Sequence, residues 1–357
     1  LVFLIFLLIN YYIFQKSFDV SYYLDPLYNI YIIFKKLKRI KFKMELQKFI
    51  NENENYLDKF KELRLKFNKY SNLGLIIIKT DRKKKYDYEK YPWIKYCRGV
   101  IIDSKENRII NVPPINSLRI ELNDILINDD LIYENLIEGT MINMFYHNNT
   151  WMISTRSNIG CNNKFYGKSK FSEMFNELSD RIDYEKMNKR HCYSFVLQHK
   201  NNRMVIPVYE NNIILVNEVC LDTYMNVELS DINVEHIYRF TNEDIIRYKR
   251  IPDQFYMIKG ITIRDNRNNI RYKCLNVNYE YVKELNFNNP NSLIRYVELR
   301  KNNKIKEYLK YFPEDKYKFN QYRQFYYNLV SLLYKRYELH FIKKEIKLND
   351  IEYSLKP

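Results

Sequence analysis

The 357-residue chain contains no alanine and only 6 glycines and 9 prolines. This composition excludes collagen-like repeats, glycine-rich linkers and alanine-rich helical arrays. The space is filled by Ile, Asn, Lys and 35 Tyr residues, all of which have AT-rich codons. We therefore interpret the bias as a property of an AT-rich coding genome rather than as a functional code. Hydrophobic residues make up 46% of the chain, which is enough for a packed core and excludes a mostly disordered protein.

Cysteine and histidine are also sparse, and their positions exclude several kinds of site. The 5 cysteines are scattered without a C-x-x-C pair, which argues against a zinc ribbon or a disulfide framework. That pattern favours a reducing compartment, so we expect a cytoplasmic protein. The 5 histidines show no metal-binding spacing, and we predict no metal ligands. The absence of a G-x-x-x-x-G-K-[ST] loop excludes a P-loop ATPase.

Positive charge is in clear excess. Lys and Arg number 59 against 43 Asp and Glu, a net charge of +16. This balance favours polyanionic partners, and we expect RNA or a nucleotide. AT-rich coding raises the lysine content by itself, which weakens the inference. The apolar run Leu1–Phe14 is shorter than the roughly 20 residues of a membrane-spanning helix, so we expect no membrane partner.

The hydrophobic pattern divides the chain into three parts. The first methionine is Met44, and apolar residues recur at helical spacing from that point. We interpret residues 1–43 as an extension outside the fold, residues 44–285 as one α+β domain, and residues 286–357 as a helical C-terminal region. Short β-branched runs between turn signals predict strands in the domain. Those runs are Leu75–Ile78, Gly99–Asp103, Arg108–Val112, Met141–Tyr146, Trp151–Thr155, Tyr193–Leu197, Met204–Val208, Ile213–Val219, Gly260–Ile263 and Ile270–Cys274. Phe171–Leu178 reads as a helix.

Four stretches carry the candidate chemistry. In chain order they are Cys97–Asp103 (C-R-G-V-I-I-D), Leu136–Ile142 (L-I-E-G-T-M-I), Tyr193–Val205 (ending in N-R-M-V), and Lys259–Lys273 (K-G-I-T-I, then R-Y-K). Taken together they resemble the phage-type ATP-dependent RNA ligase family, and in closer wording its divergent branch in large DNA viruses. That family shows R-G-[IV], K-x-[DE]-G-[ST], F-E-x-x-x-P-x-N-R-I-V, E-G and K-x-K in this order.

The resemblance covers about residues 44–285 and implies a nucleotidyltransferase fold, similar to a ligase adenylation domain, with antiparallel sheets and helices. It also implies ATP and Mg²⁺ as cofactors. In the family the motif lysine attacks the α-phosphate of ATP, and the resulting lysyl-AMP passes AMP to an RNA 5′-phosphate. Carboxylates hold the metal, and Arg and Lys stabilise charge on the phosphates.

Three positions depart from the family motifs in kind. The nucleophile slot is Leu136, which cannot form a phosphoramidate, and no lysine lies between Lys105 and Lys164 to replace it. The glutamate of the third motif is Val196, and the glutamate before glycine in the fourth is Lys259. The site therefore gains about two positive charges, and we assign no catalytic residue. The resemblance implies that the residues contacting nucleotide or phosphate are Arg98, Glu138, Gly139, Arg156, Arg203, Lys259, Arg271 and Lys273.

Three functions remain open on this evidence. The first is a ligase-like protein, by descent an RNA end-joining enzyme, that is weak or inactive and binds RNA or nucleotide phosphate. The second is an active RNA ligase or capping-type nucleotidyltransferase with an unrecognised nucleophile. The third is a structural or interaction protein that keeps only the fold. Fold-level analogy does not decide whether the protein is an enzyme.

Overall fold

The computed structural model describes residues 45–347, except 82, 166, 168, 251–254 and 288. The proposed extension 1–43 lies outside the described residues. The described chain opens with two short helices, α1 (Glu45–Glu52) and α2 (Tyr56–Glu62). Within the described ranges no helix is long and apolar enough to cross a membrane.

The first sheet is a four-stranded antiparallel meander with the order β1-β2-β3-β4. Its strands are β1 (Lys66–Tyr70), β2 (Leu75–Lys79), β3 (Arg98–Asp103) and β4 (Arg108–Asn111). Isoleucines in β2 and β3 are buried on both faces of the sheet, and α1 and α2 pack into the same core through Leu46, Ile50 and Phe60. β-branched residues favour this extended, two-sided packing, which explains why the apolar runs form strands here.

The second sheet is antiparallel apart from one short strand and has the order β11-β10-β9-β7-β8, with β12 parallel to β10. Its strands are β7 (Thr140–His147), β8 (Thr150–Ser154), β9 (His191–Gln198), β10 (Asn212–Cys220), β11 (Met225–Asn226) and β12 (Glu235–His236). Helix α3 (Phe171–Ser179) covers one face, where Phe175 packs edge-on against Phe195.

The third sheet has the order β13-β6-β14-β15-β5 and is antiparallel except between β15 and β5. Its strands are β5 (Ser117–Arg119), β6 (Leu131–Asn135), β13 (Arg239–Phe240), β14 (Gly260–Asp265) and β15 (Ile270–Leu275). Its outer face is apolar and packs against helix α4 (Asn242–Arg250) through Ile245. The strand register puts the polar residues Glu134, Thr262, Arg264, Arg271 and Lys273 together on the other face.

This polar inner face looks toward the second sheet. Arg264 Nη1 donates to Asn217 Oδ1 on β10 at 3.1 Å, and Glu134 pairs with Arg264 while only 1% exposed. A buried carboxylate is tolerable only when it is paired and hydrogen-bonded. The two sheets are therefore joined by a polar network rather than by an apolar core at this point.

The C-terminal region is helical. It comprises α5 (Val277–Leu285), α6 (Ser292–Lys301), α7 (Ile305–Tyr311) and α8 (Lys316–Tyr337), followed by a π-helical turn Glu338–Ile342. These helices share a small core that includes Tyr279, Tyr296, Tyr308 and Phe319, and Val205 from the preceding domain packs into it. The predicted helical character is confirmed. The boundaries proposed at residues 44 and 286 stay predictions.

The predicted α+β class and its antiparallel sheets are confirmed, but one predicted strand is wrong. Met204–Val208 forms an irregular segment, although Val-Ile-Pro-Val favours extended structure. Pro207 has no N–H to give to a strand partner, and Val205 N and Ile206 N donate instead to the Glu138 carboxylate. The structure also shows strands that the pattern did not predict, above all β6, on which the candidate site depends.

Candidate functional site

The segment Leu136–Gly139 links β6 of the third sheet to β7 of the second. Leu136 N donates to Gly260 O at 3.0 Å, which extends the pairing of β6 with β14 by one residue. Gly139 has φ +153°, and a Cβ there would lie 2.5 Å from Leu197 O and from Val196 Cγ1. Only glycine fits between these strands, so the segment is held tightly in place. The aliphatic side chain of Leu136 gives this site no nucleophile.

Glu138 is the buried acid of the site, with 5% of its surface exposed. Its Oε1 accepts hydrogen bonds from Val205 N at 2.9 Å and Ile206 N at 3.0 Å. The carboxylate thereby fixes the Met204–Val208 segment to the loop. Both amides donate to the same carboxylate oxygen, and Glu138 is close enough to Lys259 to oppose the lowering of the Lys259 pKa.

Lys259 lies beside the Leu136–Gly139 segment. Its Nζ donates to Ile137 O at 2.9 Å, so the ammonium contacts the main chain next to Leu136. Burial lowers the pKa of Lys259 to about 8; Glu138 opposes that shift, and Lys283, Lys273 and Arg271 add to it. The site thus contains a cation where the family motif has an acid, and its charge is only partly compensated.

Two further cations follow on β15. Burial lowers the pKa of Arg271 to about 10; Glu134 opposes this, and Arg98 and Arg264 add to it. Burial also lowers the pKa of Lys273, and Arg98 and Lys283 lower it further. These residues lower one another's pKa values and together form a cation cluster, which consists of Arg98, Lys259, Arg271, Lys273 and Lys283. Cations that destabilise one another in this way make a site that favours an anion.

Position 196 carries no carboxylate toward this cluster. Val196 is 6% exposed and belongs to an apolar group with Ile214 and Val216, against which Ile137 and Met141 pack. Val196 therefore lies in an apolar setting, in which an ionised glutamate would face desolvation.

Arg156 and Arg203 contact other parts of the protein. Arg156 Nη2 donates to Thr80 O at 3.2 Å and Thr80 Oγ1 at 3.1 Å. Arg203 donates to Val205 O at 2.9 Å, Tyr311 O at 2.6 Å and Glu314 Oε1 at 2.5 Å. Neither arginine is among the charges that shift the pKa values of Lys259, Arg271 or Lys273. Arg203 joins the domain to the C-terminal helices, and its expected contact with phosphate stays a prediction.

Lys283 and Arg119 were missed by the sequence interpretation. Lys283 is an exposed residue on α5, which begins before the predicted helical region. The helix had a readable signal, because Asn276 caps it by accepting from Asn278 N at 2.8 Å and Tyr279 N at 3.1 Å. Arg119 lies beside Lys273 in register, but it makes a bidentate pair with Glu280 at 2.7 Å. Lys283 and Arg119 both lower the pKa of Lys273, and Glu280, the partner of Arg119, opposes them.

The donor set does not fit the Mg²⁺ that the family motifs imply. Among the described residues, no group of three His, Cys, Asp or Glu side chains could hold a metal ion. Near the loop, Glu138 Oε1 accepts from two backbone amides, Glu138 Oε2 is buried without a hydrogen-bond partner in the described part of the chain, and Glu134 is paired with Arg264. A hard divalent cation needs several free oxygen ligands, whereas the cluster offers ammonium and guanidinium groups. No step of a reaction is therefore assigned to a metal here.

No protein-family model matches the sequence, and no curated protein matches it. Solved structures similar to this chain include an Aquifex aeolicus protein assigned as an ATP-dependent DNA ligase, with 15% identity, a TM-score of 0.45, and coverage of 76% of this chain and 77% of that one. An archaeal ATP-dependent RNA ligase is 12% identical with a TM-score of 0.38, covering 65% and 64%. A Naegleria gruberi RNA ligase mutant with ATP and Mn is 9% identical with a TM-score of 0.31, covering 48% and 59%. The chain thus spans about three fifths of the length of these RNA ligases.

Proposed function

We propose that this chain is a ligase-like nucleotidyltransferase-fold protein that binds the phosphate groups of RNA or of a nucleotide, with the end-joining reaction weak or lost. The observation that supports this most is that Lys259 lies next to Leu136, the position that the resemblance assigns to the nucleophile. The nucleophile slot is aliphatic, and the adjacent ammonium donates to Ile137 O at 2.9 Å. Loss of a covalent nucleophile typically lowers a rate by many orders of magnitude.

Phosphate binding follows from the charges that remain. Burial is the main cause of the lowered pKa values of Lys259 and Lys273, and repulsion from neighbouring cations adds to it; an incoming phosphate would relieve that repulsion. Guanidinium groups such as Arg98 and Arg271 suit phosphate because their planar fork donates two parallel hydrogen bonds. In this proposal the side chains supply the neutralising charge that a metal supplies in related chemistry, so binding needs no divalent cation.

Two measurements test the proposal. Incubation with α-labelled ATP followed by a denaturing gel reports a covalent adduct, because a lysyl-AMP bond survives denaturation; we expect no labelled protein. Binding of 5′-phosphorylated RNA in EDTA is then compared for Lys273→Met and Lys310→Met. Lys310 is an exposed lysine on α7, outside the cluster, and serves as the matched control.

We expect Lys273→Met to weaken RNA binding by about 1–3 kcal/mol, the range for hydrogen bonds between charged groups. Lys310→Met should cost less, because single exposed charges contribute little. A labelled band that mass spectrometry maps to any lysine would overturn the loss of catalysis. Equal losses for the two variants would overturn the binding role of the cluster.

A further inference from the structure

The space between the second and third sheets is filled by the protein itself. Thr262, at the centre of the polar inner face, is fully buried, and the residues beside and beyond it, Glu134 and Arg264, are 1% and 9% exposed. Strand register places Thr262 opposite both Glu134 and Lys273. A nucleoside that extended inward from a phosphate at Lys259 would have to lie on Thr262. Protein atoms already cover that position.

A polar network spans this region, although Thr262 Oγ1, Arg264 Nε and Arg271 Nε are buried without a hydrogen-bond partner among the described residues. Glu134 pairs with Arg264 on the neighbouring strand, and Arg239 Nε lies 3.6 Å from the same carboxylate oxygen. Arg264 also donates to Asn217 on the opposite sheet at 3.1 Å. Breaking a buried pair by moving one partner leaves an uncompensated charge and costs about 3–5 kcal/mol. A ligand group would have to supply that free energy before it could enter.

The cavities between the sheets are too small for a whole nucleotide. A pocket lined by Glu134, Arg264, Arg271 and Asn217 has a volume of about 40 Å³, and an adjoining pocket lined by Arg239, Arg264 and Arg267 has a volume of about 170 Å³. Both lie at the end of β14 away from Lys259, and both are smaller than the roughly 300 Å³ at which pockets for small organic ligands begin. The ATP that the family motifs imply therefore does not fit between the sheets.

We propose that the cation cluster takes a terminal phosphate or a short polyphosphate alone, without reading any nucleoside attached to it. The inference deepens the proposed function, on which it rests, by naming the group that is recognised. Lys283 is exposed and Lys273 and Lys259 are partly exposed, so solvent reaches the cluster at these three side chains. A sugar and base carried by the phosphate point into solvent there. Recognition then depends on phosphate charge and is the same for every base.

Equilibrium binding to the full chain in EDTA at pH 7 tests this directly. The probes are inorganic tripolyphosphate, ATP, UTP and adenosine, measured by titration calorimetry. We expect the three phosphates to bind with dissociation constants within about threefold of one another, a difference under 1 kcal/mol, and adenosine to give no binding. An ATP affinity more than about tenfold above that of tripolyphosphate, or measurable binding of adenosine, would overturn the inference while leaving the proposed function intact. Failure of all three phosphates to bind would overturn both.

A pair of double variants tests whether the buried network is the barrier. Glu134→Ala with Arg264→Ala removes both partners together, and with them the opposing charge and one of the repelling charges that act on Arg271, so the local net charge is unchanged. The control is Asp130→Ala with Arg267→Ala, which removes a pair at the edge of the same sheet whose side chains are 31% and 48% exposed. We expect the first variant to raise ATP affinity relative to tripolyphosphate by about fivefold or more, and the control to leave the ratio unchanged. An unchanged ratio in a folded first variant would contradict the barrier.

Discussion

Replacing Lys259 by methionine should make the protein more stable while it weakens anion binding. The folded state lowers the pKa of this lysine from 10.5 to about 8, chiefly by burial. Each pKa unit corresponds to about 1.4 kcal/mol, so the charged lysine destabilises the fold by roughly 3 kcal/mol at neutral pH. Methionine keeps most of the apolar stem and loses the hydrogen bond to Ile137 O, which contributes about 1 kcal/mol. The expected net gain in unfolding free energy at pH 7 is about 2 kcal/mol.

The sign of the pH dependence follows from the direction of the shift. Below about pH 8 both folded and unfolded lysine are protonated, and the whole penalty is present. Between about 8 and 10.5 the unfolded state holds the proton and the folded state does not, so stability rises with pH. The advantage of Lys259→Met should therefore shrink from about 2 kcal/mol at pH 7 to near zero at pH 9.5. Other groups that titrate in this range act on both proteins alike and cancel in the difference.

Urea denaturation followed by circular dichroism at the two pH values measures this difference. Lys283→Met is the control, because Lys283 belongs to the same cluster but is exposed. We expect it to change stability by less than about 0.5 kcal/mol at either pH. A loss of stability in Lys259→Met at pH 7, or an advantage that is equal at pH 7 and 9.5, would refute the reasoning.

Three further outcomes follow from the geometry. Leu136→Lys alone should not restore a labelled adduct from α-labelled ATP, because Val196 and Lys259 still replace the two acids; a labelled band at position 136 would contradict this. Gly260→Ala should lower the unfolding free energy by more than about 2 kcal/mol, since φ is +142° and a Cβ would collide with Cys274 O; wild-type stability in urea would exclude that strain. Arg203→Lys keeps the charge but loses the guanidinium group that donates to Val205 O and Tyr311 O. This variant should therefore lower the thermal unfolding temperature and change phosphate affinity by no more than about twofold. Unchanged stability with weaker phosphate binding would show that Arg203 contacts the phosphate.

Local pattern sufficed for the hairpin that carries the cluster. Gly260–Ile263 and Ile270–Cys274 read as strands because β-branched residues alternate with polar ones, and the structure pairs them in β14 and β15. The motif spacing likewise brought Lys259, Arg271 and Lys273 to the same sheet. Strand register places Arg271 and Lys273 on one face, because alternate residues of a strand share a face, whereas Lys259 precedes β14 and its place beside them does not follow from that alternation.

Contacts between residues that are distant in sequence explain the elements that the local pattern did not predict. Leu131–Asn135 is short and ends in two polar residues, yet it forms β6 because Glu134 is paired inside the protein with Arg264. Met204–Val208 reads as a strand, but Glu138 takes two of its amides from 67 and 68 residues away in sequence. Two partners of Arg203, Tyr311 and Glu314, lie more than 100 residues further along the chain. The local sequence pattern does not predict such long-range contacts.

The most direct test of the account compares two RNAs of one sequence, one with a 5′-phosphate and one with a 5′-hydroxyl, binding to the full chain in EDTA across a salt series. If the cation cluster holds the terminal phosphate, the phosphorylated RNA should bind at least about tenfold more tightly at low salt. Its affinity should also fall more steeply with salt, since each phosphate contact releases condensed counterions. Equal affinities and equal salt slopes for the two RNAs, or a phosphate preference that arises only when Mg²⁺ is added, would contradict a metal-free phosphate site.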